Sequence, residues 1–133
     1  MSVLFFKYLY PNCSIEAFEP DLETFNMLKK NVETNNLTNI TLHNEAISDK
    51  DGTAVFYIDD QPGALQMGLT KRGVSPKKSI KTRTISLANY LKERKFAFMK
   101  MDIEGYETVV LPDLYNKNVL SNIEELVHCN SDI

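Results

Sequence analysis

Ile15-Glu16-Ala17-Phe18-Glu19-Pro20-Asp21 decides how this chain folds: a short, largely apolar run closes on two acids that flank a proline. Ser14 to Phe18 reads as a strand. Glu19-Pro20-Asp21 then opens a helix, because proline is tolerated in the first helical turn and acids complement the positive end of the helix dipole. Leu22, Phe25, Leu28, Lys29 and Val32 recur at helical spacing, and Asn35-Asn36 ends the stripe. A strand that turns directly into a helix is the repeating unit of an α/β layer.

Outward from that unit the same alternation holds. Toward the amino end, Val3, Leu4, Phe5, Phe6, Tyr8 and Leu9, closed by Pro11, read as the end of a helix already under way. Lys7 interrupts this run, no basic residue precedes it, and it is too short to cross a bilayer, so neither a signal peptide nor a membrane anchor is expected. Toward the carboxyl end, Ile40 and Leu42 alternate into His43-Asn44 and predict a strand ending near Glu45-Ala46. Asp49-Lys50-Asp51-Gly52 is a turn, and Thr53 to Ile58 a further strand. Residues 59–79 carry Gly63, Gly68, Gly73, Pro62 and Pro76 and read as one long loop. Ile80 to Ile85 alternates as a strand, and Ser86 caps a short helix through Leu91. Phe96 to Ile103 is an apolar run, broken by Lys100 and Asp102, that suits a central strand. A helix over Tyr106 to Leu111 is expected to stop at Pro112, and Glu125 to Cys129 begins one more strand.

Composition narrows the partners. With 133 residues, 43% of them hydrophobic and 25% charged, the chain suits one domain spanning 1–133. The net charge of -3 provides no overall attraction for nucleic acid, so any anion site must be local. One local candidate exists: Lys71, Arg72, Lys77, Lys78, Lys81 and Arg83 occur with no acid between Gln61 and Lys92. Such a stretch is either a solvated face or a cover for an anionic ligand. Cys13 and Cys129 are far apart and lack the spacing of a metal knuckle or redox pair, so free thiols in a reducing, cytoplasmic setting are expected, and no metal.

In open α/β sheets ligands bind beyond the carboxyl ends of the strands, which singles out Glu19, Asn44-Glu45-Ala46 and Asp102-Ile103-Glu104-Gly105. Glu19 ends a strand and opens a helix, a position from which a carboxylate can accept hydrogen bonds from a ribose diol; equally, it is a helix-capping acid. Asp102 lies in an apolar run, and a charge buried there implies a partner, either a ligand or backbone amides. Gly105 lets the backbone turn sharply beside it. His43 and His128 lack a metal-spaced or nucleophilic neighbour in sequence and read as ordinary strand residues.

Ile15-Glu16-Ala17-Phe18-Glu19-Pro20-Asp21, Asn44-Glu45-Ala46-Ile47-Ser48-Asp49 and Met99-Lys100-Met101-Asp102-Ile103-Glu104-Gly105-Tyr106-Glu107 together resemble three successive motifs of FkbM-type methyltransferases. The resemblance covers nearly the whole chain. It implies a Rossmann-like class I methyltransferase fold, an α/β domain with a mostly parallel sheet and an inserted hairpin-like segment. It implies S-adenosylmethionine as cofactor and an O-methyltransferase reaction on a hydroxyl of a small molecule or sugar. By position, Glu19, with Pro20 and Asp21 beside it, would hold the cofactor ribose, while Asn44, Glu45 and the backbone of Ala46 would meet the adenine. Asp102 and Glu104 would line the methionine end and the acceptor pocket, where either could take the acceptor proton.

The sequence departs from the family pattern in one respect: no glycine precedes Gly52, whereas family members carry a glycine-rich strand and turn before the first helix. The expectation is therefore an incomplete, partial methyltransferase domain, without the first central strand and the last strands, and inactive by itself. Its unpaired strand edges would invite self-association. The competing expectations are a non-catalytic, methyltransferase-derived binding remnant and a dinucleotide-dependent oxidoreductase. The latter leaves the Asp102 to Glu107 cluster without a role.

Overall fold

A computed structural model describes residues 2–58, 65–67, 78–103 and 106–128. The chain divides into two compact units, residues 1–46 and 47–133.

In the first unit, α1 (Ser2–Leu9) leads into β1 (Ile15–Phe18), α2 (Leu22–Thr34) and β2 (Ile40–His43). Lys7, the residue that breaks the apolar run of α1, is buried, and its Nζ donates to the carbonyls of Pro11 and Cys13. The ammonium thus ties the last turn of the helix to the carbonyls of the turn that leads into β1. β1 and β2 pair in parallel, from Ile15 opposite Ile40 to Phe18 opposite His43. α2 starts where its cap allows: Asp21 accepts from the Thr24 N–H at 3.1 Å and from Thr24 Oγ1 at 2.7 Å. It stops at Asn35, and Asn36 adopts φ 51, a left-handed conformation that asparagine tolerates. The inward stripe is narrower than the spacing suggests. Leu28 is buried and Phe25 and Val32 half-buried, whereas Leu22 is 59% exposed.

The second unit holds nearly all of β3 (Ala46–Ser48), then β4 (Gly52–Ile58), β5 (Leu65–Met67), β6 (Lys78–Ser86), α3 (Leu87–Leu91), β7 (Phe96–Met101), α4 (Glu107–Asn116) and β8 (Ile123–His128). Four of these strands form a sheet in the order β3-β6-β4-β5, with β4 antiparallel to both β5 and β6. β7 and β8 pair in parallel, from Phe96 opposite Ile123 to Met101 opposite His128. The core joins α3, β7, α4 and β8 through Leu87, Ala88, Leu91, Met101, Val110, Leu114 and Ile123, with Val119 closing it. Ser86 caps α3 by accepting from the Asn89 N–H at 3.2 Å, and Asp51 accepts from the Ser86 N–H at 2.8 Å, which pins the turn before β4 to the start of α3.

Four sequence expectations change. The strand expected to end near Ala46 stops at His43, and Ala46 opens a separate strand, because Asn44 and Glu45 turn the chain from one sheet to another. The long loop contains β5, paired with Phe56–Ile58 of β4, a strand too short for its periodicity to register. Pro112 lies inside α4 instead of ending it. Proline in a helix interior costs roughly 3 kcal/mol, but Val110 and Leu114 on either side are fully buried, and each contributes about 1.5–3 kcal/mol. Finally, a mostly parallel single sheet gives way, among the described residues, to two parallel pairs and one four-stranded sheet built on antiparallel pairing. The mixed α/β character and the inserted antiparallel segment are as expected.

Candidate functional site

The carboxyl ends of the parallel pairs carry the residues singled out from sequence. Glu19 follows the last residue of β1, Asn44 and Glu45 follow β2, and Asp102 follows β7. Parallel pairing produces this alignment, because all strands of a parallel pair end on the same side.

In the first unit the structure brings Glu19, Pro20, Asp21 and Asn44 into one hydrogen-bonded corner. The Glu19 N–H donates to the His43 carbonyl at 2.9 Å, extending the β1–β2 ladder by one residue. The Glu19 carboxylate accepts from the Asp21 N–H through Oε1 at 3.0 Å. Asn44 Nδ2 donates to the carbonyls of Glu19, at 2.9 Å, and Pro20, at 3.2 Å. Asp21 turns the other way and caps α2. The two acids of the motif therefore divide their work: Asp21 serves the helix, and Glu19 is the half-buried carboxylate at the strand end. Burial pushes the Glu19 carboxyl above its ordinary value of 4.5, the Asp21 amide opposes the shift, and the nearby Asp21 charge adds to it. A carboxylate has about four lone-pair sites. With one amide on Oε1, Glu19 keeps the capacity for a pair of hydroxyls. Glu45 is half-buried, and Ala46 is buried at 3%.

Sequence reasoning missed the role of His43. Its Nε2 lies 2.6 Å from Glu16 Oε2, and its ring stacks on Phe18 at 4.4 Å with the planes 9° apart. The parallel register places Phe18 opposite His43, and Glu16 two residues earlier shares that face, so the contact follows from strand pairing that spacing along the chain does not reveal.

In the second unit Asp102 is exposed, contrary to the expectation of a buried charge, because β7 ends at Met101 and the chain leaves the sheet there. The buried acid of this motif is Glu107, 6% exposed, whose Oε1 accepts from the Ile103 N–H at 2.8 Å. Its first-turn position in α4 was the available signal. Glu107 holds the backbone immediately after Asp102, so its part is to position. Glu104 and Gly105 lie outside the described residues, as do Lys71, Arg72 and Lys77 of the basic segment. Of the rest, Lys81 and Arg83 project from the exposed face of β6, while Thr82 and Thr84 between and after them are buried. Among the described residues no three His, Cys, Asp or Glu are grouped to hold a metal, and no helix is long and apolar enough to cross a membrane.

The carboxyl ends of parallel strands are where ligands bind in the α/β class. The model of the methyltransferase FkbM domain matches residues 2–127, nearly the whole chain, and the chain belongs to that family. No curated protein and no solved structure matches it.

The raised Glu19 pKa sets a sign. Between 4.5 and the folded-state value the native chain binds more protons than the unfolded one, so the Glu19 contribution favours folding at acid pH and is lost as pH rises through the folded value. Glu19→Gln keeps an acceptor for the Asp21 N–H and removes the buried charge. Its melting temperature should equal or exceed that of the natural protein at pH 7, with the difference closing below pH 4.5; a Gln variant less stable at neutral than at acid pH, relative to the natural protein, contradicts the burial argument.

Proposed function

We propose that this protein is an S-adenosylmethionine-dependent O-methyltransferase acting on a hydroxyl of a small molecule or sugar. The observation that carries the reading is Glu19: a half-buried carboxylate at the end of a parallel strand, kept ionisable where burial disfavours its charge. Such a group fits a ribose diol, which offers two hydroxyl donors to one planar carboxylate, better than it fits helix capping, which Asp21 already performs. Membership of the FkbM methyltransferase family supports the cofactor class.

When bound, S-adenosylmethionine supplies an electrophilic methyl group on a sulfonium. The chain's own residues do the rest. Glu19 fixes the ribose, and Pro20 and Asp21 shape the corner around it. Asn44 donates both amide protons to the corner's carbonyls, so it serves the corner and leaves the adenine to other groups. Glu45 and the Ala46 backbone complete the adenine side. Asp102 and Glu104 are the candidates for taking the proton from the acceptor hydroxyl. An exposed carboxylate is suited to this exchange, since it can pass the proton on to water. Glu107 holds the turn that carries Asp102. Positioning the acceptor oxygen in line with the methyl group provides most of the acceleration. Lys81 and Arg83 favour an acceptor that carries negative charge, such as a phosphorylated or nucleotide-linked sugar.

In the protein expressed from its complete coding sequence, Glu19→Ala should weaken binding of S-adenosylhomocysteine by about 1.5–3 kcal/mol, the range for hydrogen bonds to a charged group. Calorimetry that finds equal affinities sinks the assignment. Asp102→Asn should lower kcat by about 10²-fold or more with cofactor affinity little changed; an undiminished rate with labelled cofactor across a panel of hydroxyl acceptors removes Asp102 as the base. Turnover of anionic acceptors should fall as salt rises, and KM independent of ionic strength argues against the basic face.

A further inference from the structure

The Asn44 side chain touches both carbonyls of the Glu19-Pro20 corner. Those carbonyls come where regular pairing ends: the ladder stops with the Glu19 N–H on His43, and α2 starts only at Leu22. Proline has no N–H to contribute, so the corner cannot close a backbone turn onto itself through Pro20. Half-buried carbonyls without a donor are costly, and the asparagine amide, with two protons on one nitrogen, meets two acceptors at once. Both acceptors are carbonyl oxygens, which fixes the nitrogen as the end that faces them. Aspartate has the same shape and no donor, and glutamine is longer by a methylene. The residue type is therefore matched to the job.

The geometry points to Asn44 as the positioning residue for Glu19: from the end of β2 it locks the corner so that the carboxylate is held toward its ligand. This rests on the proposed ribose role of Glu19 for its functional meaning, while the positioning itself stands on the hydrogen bonds of the corner. The chain of contacts is short. Asn44 holds the carbonyls of Glu19 and Pro20, the Asp21 N–H holds Glu19 Oε1, and Asp21 in turn is fixed as the cap of α2. Releasing the first link lets the corner rotate, which frees the carboxylate from the Asp21 amide and opens it to water.

Two readouts separate positioning from general stability. In Asn44→Ala, the Glu19 carboxyl, followed by carbon-13 NMR, should titrate closer to the ordinary glutamate value, and the Asp21 amide should exchange with solvent faster than amides elsewhere in α2. Asn44→Asp keeps the volume and removes the donors; it should speed Asp21 exchange in the same way and provides the reading should the alanine variant unfold. In the protein expressed from its complete coding sequence, Asn44→Ala should also weaken S-adenosylhomocysteine about two- to tenfold, the size of a neutral hydrogen bond. The loss should vanish for the 2′-deoxy ligand and in a Glu19→Gln background. An unmoved Glu19 titration with unchanged Asp21 exchange overturns the inference, as does an equal loss for both ligands. If those signals move while Glu19→Gln binds the ligand normally, the positioning holds and the ribose role of Glu19 fails.

Discussion

The parallel register of β1 on β2 is the constraint from which the site follows. Pairing Ile15 with Ile40 brings Phe18 opposite His43, and one further hydrogen bond, from the Glu19 N–H to the His43 carbonyl, carries the ladder to the first residue of the corner. A slip of one residue would turn every side chain of the strand to the other face. It would separate Glu16 from His43, unstack Phe18, and take the Glu19-Pro20 carbonyls away from Asn44. The cross-strand contact of Glu16 with His43 and the ring stack therefore do more than fill space: they favour the one register in which the corner can form.

Around that register the chain divides its charges by task. Asp21 and Glu107 both stand at helix starts, and both bond to backbone amides, where acids are favourable. Lys7 is buried against the carbonyls of the turn between α1 and β1. These charges are matched to structure. Glu19 is the exception, since burial disfavours its ionised form and the Asp21 amide only partly compensates. A group maintained against its own stability is a sign of function more often than of architecture. Asp102, by contrast, is exposed, where the chain leaves β7.

Much of this was legible along the chain because it depends on local chemistry. Strand and helical stripe place β1 and the end of α2 within a residue or so of their observed bounds, and Ser86 marks α3, whereas α2 starts only at Leu22, with Pro20 before its cap Asp21 and not in its first turn. The carboxyl-end positions of Glu19, Asn44-Glu45 and Asp102 follow from the alternation of strands and helices alone. What escaped depends on contacts between distant segments. Pro112 continues α4 because Val110 and Leu114 are buried around it. β5 exists because β4 extends to pair with it. The partnership of His43 with Glu16, and of Asn44 with the Glu19 corner, crosses from one strand to the next. The exposure of Asp102 was misjudged for the same reason, since where an apolar run leaves its sheet is a property of the sheet.

The central claim is that Glu19 is the ribose ligand of an adenosyl cofactor. Its most direct test is the carbon-13 carboxyl resonance of Glu19 in the protein expressed from its complete coding sequence, followed during titration with S-adenosylhomocysteine and, separately, with methionine. The account predicts a saturable shift with the adenosyl ligand and none with methionine. Saturation of the protein by S-adenosylhomocysteine with the Glu19 resonance unmoved would contradict it.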